Sequence, residues 1–294
     1  MRGFMVRVYN ADRAGTKSHS FIMKHLGVSP VAAAERIEGM FAHQSMCSLN
    51  SDCSVNTYDL MGRVISRQPL LAHLHEFCNY AKTFEISEYS LKINSPLRLV
   101  DLWEDDPIGS AGPNVVDANE LTPSLQKQVK ELFTPFSDVI YPHHISRVFS
   151  LKDIKGIKRN YSSNKLFASE LKKRKERSKA IGEDFNKSQY QEIIWLYFTF
   201  KLKSWALTNG FDSFVYANHK EGNGEDTYVT LLPNQASYSG TSLEFNEEKY
   251  LAEMPKEISE MIRNMGNKPL HIANHVLWAQ KDPMCFWQRR QQTT

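Results

Sequence analysis

The sequence predicts an α+β protein, and three stretches carry that reading. "FMVRVYNA" (4–11) alternates Val6 and Val8 with Arg7 and Tyr9, the two-residue period of a half-buried strand. "SPVAAAERIEGMFAHQ" opens on Ser29 and Pro30, a hydroxyl cap followed by a proline in the first turn, and so starts a helix. "GFDSFVYANHKEGNGEDTYVTLLPNQ" (210–235) reads as strand, acidic glycine-rich loop, strand.

The remaining elements follow in order. "DRAGTKSHSFIMKHLG" is expected to run from a loop into a short helix closing at Gly27. Residues 44–60 are polar and read as irregular; 62–66 form a short strand and 69–84 a helix. "EYSLKINSPLRLVDL" (88–102) is a strand interrupted near Pro96. Residues 104–120, rich in Asp, Pro and Gly, are a loop. "TPSLQKQVKELFTPF" is a helix and "YPHHISRVFSLKDI" a strand or extended connection. Residues 188–210 form a strongly apolar helix stopped by Gly210, and Pro255 is expected to break the helix that follows residue 246. The expected organisation is a core domain over residues 1–240 with an insertion at about 120–187, and a helical appendage over 241–294.

Composition narrows the class. The chain has 294 residues, 41% hydrophobic and 23% charged, with a net charge of +3. No run approaches the ~20 apolar residues of a membrane span, and the N-terminal stretch lacks a signal-peptide core, so a cytoplasmic protein without a membrane partner is expected. Cys47, Cys53, Cys78 and Cys285 have no paired spacing and read as reduced thiols. "HIANH" (271–275) has the His spacing of a helical zinc site but Ala where a metalloprotease needs Glu, so no metal is expected. From Lys152 to Lys187 there are twelve Lys or Arg against five Asp or Glu. That block is either a solvated helix or a surface that attracts phosphate.

The chemistry centres on the 210–235 stretch, where Glu221, Glu225 and Asp226 crowd a turn that needs only Gly and Asn. This stretch resembles the closing motif of the ADP-ribosyltransferase superfamily, in its diphtheria-toxin-like and phage- or toxin-associated branches. "EYSLKINSPLRLVDL" is similar to the strand-and-"NPL" segment of the same proteins. The clear resemblance covers about forty residues, with a looser match over residues 5–102.

The resemblance implies a split mixed β core flanked by helices, and NAD as co-substrate. It implies NAD contacts from Arg7, Tyr9, Asn10 and Arg13 in the first strand, with Asn10 where the family usually carries His. Ser66 on a strand, and Phe77 or Tyr80 on the next helix, would complete the nicotinamide site; Val64 stands where some relatives have Tyr. The catalytic acid is Glu225, Asp226 or Glu221, in that order, with Thr227 at a position that is Glu in the polymerase-like branch. An ionised carboxylate beside the ribose stabilises the oxocarbenium charge that develops as the nicotinamide–ribose bond breaks, and can serve as base for the acceptor.

The expected activity is therefore mono-ADP-ribosylation of a macromolecule, RNA, DNA or protein, in a toxin or phage-conflict setting with an antitoxin or chaperone as a further partner. The alternative is a fold that has lost NAD chemistry and binds nucleic acid through the Lys-rich insertion. A third class, a nuclease or hydrolase using the acidic loop, would need a divalent metal.

Overall fold

The computed structural model describes residues 3–16, 23–42, 46–59, 61–100, 116–133, 150–180, 185–219, 221–265, 270–272 and 282–289. Most of the 104–120 loop, the 141–149 connection and residues 273–275 of "HIANH" lie outside the described residues. Along the chain run β1 (Phe4–Arg13), β2 (His25–Gly27), α1 (Pro30–Ala42), β3 (Met46–Leu49), β4 (Ser54–Tyr58), β5 (Val64–Pro69), α2 (Leu70–Ala81), β6 (Phe84–Ile93) and β7 (Pro96–Arg98). Then come α3 (Pro123–Leu132), α4 (Leu151–Asn160), α5 (Lys165–Ala180), α6 (Phe185–Thr208), β8 (Ser213–Ala217) and β9 (Asp226–Thr230). The chain ends with β10 (Ala236–Phe245), α7 (Glu247–Met265), β11 (Leu270–Ile272), a 3-10 turn over Pro283–Phe286, and β12 (Trp287–Arg289). The class is α+β: β1/β2, β6/β10, β10/β12, β3/β11, β3/β4 and β4/β5 pair antiparallel, and β7/β8 pair parallel.

The fold resolves into two compact units. The helical unit comprises residues 1–3, 93–220 and 228–232. Its α6 buries Ile193, Ile194, Leu196, Phe198, Phe200 and Leu202, and receives α3, α4 and α5. Gly210, at φ +86°, ends α6 as expected, with the Phe211 amide returning to the Ala206 carbonyl at 2.9 Å. Here the two stretches singled out in sequence meet. β7 pairs with β8 from Pro96↔Ser213 to Arg98↔Val215. The buried Asp212 carboxylate accepts the backbone amides of Asn94 (2.8 Å) and Ser95 (3.0 Å) and the Asn94 side-chain amide (2.8 Å).

The sheet unit comprises residues 4–92, 221–227 and 233–294. It carries strands in the order β12-β10-β6-β1-β2, with the first residues of β9 beside β2, and a four-stranded sheet β11-β3-β4-β5. Ser29 caps α1 through the Val31 amide at 3.2 Å. α2 buries Leu70, His73, Leu74, Phe77, Cys78 and Ala81, one helical stripe, against α1, β6 and α7.

Several expectations are corrected in this unit. Residues 46–58, read as irregular, form the hairpin β3/β4, because Val55 and Leu49 reach the core while the polar residues between them face outward. The segment before Gly27 ends in the strand β2 rather than a helix. α7 runs unbroken through Pro255: Tyr250, Met254 and Ile258 fall four apart and are 1%, 1% and 0% exposed, and their burial offsets the lost backbone hydrogen bond. The unit boundary also differs from residue 240. β10 crosses that point and pairs with β6, so the C-terminal segment is a β and helical part of this unit rather than a helical appendage.

Candidate functional site

The faces of the sheet unit sort the expected residues. Tyr9 and Ala11 of β1 pack on the apolar cluster formed with α1 and α2, so Asn10 and Asp12 turn to the opposite face. Tyr9 sits opposite Gly27 in β2. A Cβ on Gly27 would lie 3.0 Å from the Ala32 Cβ of α1 and 3.8 Å from Thr227 Oγ1, which puts Thr227 on the helix face too. Strand alternation then gives Asp226 the face of Asn10 and Asp12. Asn10 and Asp226 are separated by one intervening strand, about 10 Å across two strand spacings.

Part of that face is polar and buried, beside the apolar Val8 of β1 and Leu26 of β2. Asn10 and Asp12 are 9% and 5% exposed. The Asp12 carboxylate accepts from Tyr89 Oη, from Asn10 Nδ2, and from Lys24 Nζ at 3.0 Å. Carboxylates only accept, so the Asn10 amide is oriented with its nitrogen toward Asp12 and its oxygen turned away. Burial, and then the Asp12 carboxylate, push the Tyr89 phenol well above its ordinary range. Tyr238, paired with Tyr89 across β10/β6, meets its ring edge-on at 5.7 Å and is itself only half-buried. Asp12, Lys24, Tyr89 and Tyr238 are the residues that the sequence reading missed; polar side chains at alternate positions of β1 were the signal that could have found them.

The other expected residues lie elsewhere. Arg7 and Tyr9 both reach Glu88, at 3.7 and 3.3 Å, and burial followed by the Glu88 charge raises the Tyr9 phenol. Arg13 lies 4.1 Å over the Phe84 ring and 5.9 Å from that of Tyr80, and donates to Thr83 Oγ1 at 2.6 Å. Phe77 is 1% exposed between Phe41, Phe245 and Tyr250, with no ring face left for a ligand. Ser66 is exposed on β5 of the four-stranded sheet. Arg7, Tyr9, Arg13, Phe77 and Tyr80 therefore share the helix side, while Asn10 and Asp226 share the other.

The acidic loop is fastened to α1. Gly222, at φ +78°, lies so close to α1 that a Cβ would come within 2.9 Å of Ala32 Cβ. Its amide donates to Glu35 at 2.5 Å, and Glu221 pairs with Arg36 at 3.2 Å. Burial raises the Glu35 carboxyl; the Gly222 amide opposes that, and Glu221 and Asp282 add to it. Glu225 is exposed, its amide closing the turn on the Gly222 carbonyl at 3.1 Å. Asp226 is half-buried at the start of β9, its carbonyl accepting the Val28 amide at 3.0 Å.

Among the described residues no cluster of His, Cys, Asp or Glu could hold a metal ion, and no helix is long and apolar enough to cross a membrane. Cys47, Cys53, Cys78 and Cys285 are free thiols, with burial pushing Cys78 up to about 12. No family model, no curated protein and no solved structure matches this chain.

Proposed function

We propose that the chain is an NAD-dependent mono-ADP-ribosyltransferase whose site is the Asn10 face of the sheet unit. The observation that carries this reading is that Asn10, on β1, and Asp226, at the mouth of the acidic loop, share one polar face across β2. In this reading the Asn10 amide oxygen accepts from a ribose hydroxyl or the nicotinamide carboxamide. Asp12 and Tyr89 hold that amide in place. Tyr238 offers an aromatic face to the nicotinamide ring. Asp226 supplies the negative charge that meets the oxocarbenium-like ribose and then takes the acceptor's proton. The order of the acids accordingly moves to Asp226 before Glu225, with Glu221 held by Arg36. The acceptor is a macromolecule, RNA, DNA or protein.

The test is release of nicotinamide and transfer of labelled ADP-ribose to cell extract. Asp226→Asn is expected to lower the rate at least a hundredfold with little change in KM, and Asn10→Ala to raise KM for NAD. If the wild-type chain turns over no NAD with any extract, and NAD does not raise its melting temperature, the reading falls and a fold without NAD chemistry takes its place.

A further inference from the structure

The helical unit carries a second surface that NAD chemistry does not use. α4 buries Ile154 and Ile157 on one side and exposes Lys152, Lys155, Lys158 and Arg159 on the other. The one acid of this helix, Asp153, is committed to the capping box with Ser150, accepting the Ser150 amide at 2.8 Å. Lys152, Lys155 and Arg159 have no ion-pair partner among the described residues. α5 differs although it holds more lysines, because Lys172 pairs with Glu176 at 3.7 Å and Lys173 with Glu170 at 2.5 Å.

Helix stability does not account for this arrangement. Lys158 and Arg159 in the last turn complement the helix dipole. Lys152 stands in the first turn, where a cation works against it. Residues 152, 155 and 159 follow three- and four-residue steps, so their cations line one strip about 10 Å long.

We propose that this face of α4 docks the phosphate backbone of a single-stranded nucleic acid. A row of exposed cations a few ångströms apart matches a chain of phosphates, which bind by direct pairing and counterion release. An anionic membrane fits less well: the apolar side of α4 is already buried, leaving Leu151 as the one exposed apolar residue of the helix. The inference does not depend on NAD turnover, since binding is measured without NAD.

The experiment is fluorescence anisotropy of a labelled 20-nucleotide single strand, RNA and DNA, titrated with the full chain from low to moderate salt. With Lys152, Lys155 and Arg159 engaged, log K is expected to fall against log salt with a slope of about −2. The triple variant Lys152→Gln/Lys155→Gln/Arg159→Gln is expected to flatten that slope by about 2 and to weaken binding at least tenfold at low salt, its circular dichroism unchanged. Lys172→Gln/Lys173→Gln is expected to shift affinity no more than about threefold. The proposal is overturned if the triple variant keeps wild-type affinity and slope, if no oligonucleotide binds, or if phosphatidylserine vesicles bind the wild-type chain and the oligonucleotide does not.

Discussion

Glu38 makes the acidic side of α1 testable without a ligand. Its carboxyl is 5% exposed, and burial, reinforced by Glu35 on the preceding turn, pushes it up to about 8. The Tyr250 phenol of α7 faces the same region, raised by burial and then by Glu38, with Cys78 of α2 adding to it. Between about pH 4.5, the carboxyl's ordinary value, and pH 8 the folded chain keeps a proton that the unfolded chain has released. Stability contributed by the neutral acid is therefore fully present below pH 4.5 and lost as the pH rises through 8. Taken over the whole interval the effect is roughly 5 kcal/mol, or about 1.4 kcal/mol for each pH unit. Glu38→Gln keeps the shape of the neutral acid and removes the titration. Urea denaturation followed by circular dichroism should find the two proteins nearly equal at pH 4. The variant should then gain on the wild type by about 1.4 kcal/mol per pH unit up to pH 7.5. Parallel pH profiles would refute the reasoning, since both chains would then bind protons alike.

Two further substitutions probe the segments that organise each unit. Gly222→Ala forces a side chain into a left-handed backbone and against Ala32, so it should cost at least ~1–2 kcal/mol and lower the melting temperature by ~2–8 °C; an unchanged melt would mean that the loop is not held on α1. Asp212→Ala removes the acceptor of two backbone amides and a side-chain amide, so a loss of about 3 kcal/mol or more is expected in thermal denaturation of the chain. Equal stability of Asp212→Ala and wild type would show that the β7/β8 pairing needs no such anchor.

Local chemistry explains what was legible in the sequence. α1 was readable because Ser29 and Pro30 act within one turn, and the end of α6 because Gly210 alone tolerates its backbone angle. The hairpin β3/β4 was not readable. Its polar residues have no period of their own, and its strand state rests on pairing with β5 and β11. Pro255 misled for the same reason in reverse: a local breaking signal lost to three buried residues spaced four apart along the helix. The candidate site divided along this line. Arg7, Arg13 and Phe77 follow from the family resemblance, while strand alternation in β1 decides the face of the two arginines and helical spacing in α2 buries Phe77. Lys24, just before β2, and Tyr89 of β6 both reach Asp12, a juxtaposition that only the strand order creates.

The three carboxylates of the 221–226 loop have three separable positions. Glu221 balances Arg36 and helps to fasten the loop to α1. Glu225 is exposed in the turn, its amide closing onto the Gly222 carbonyl. Asp226 begins β9 and is the one whose strand position gives it the Asn10 face. A loop that only closed a hairpin would need none of them, and a loop that only bound α1 would need Glu221 alone. Asp226, half-buried at the start of β9, is the acid whose charge meets the ribose on the proposed reading.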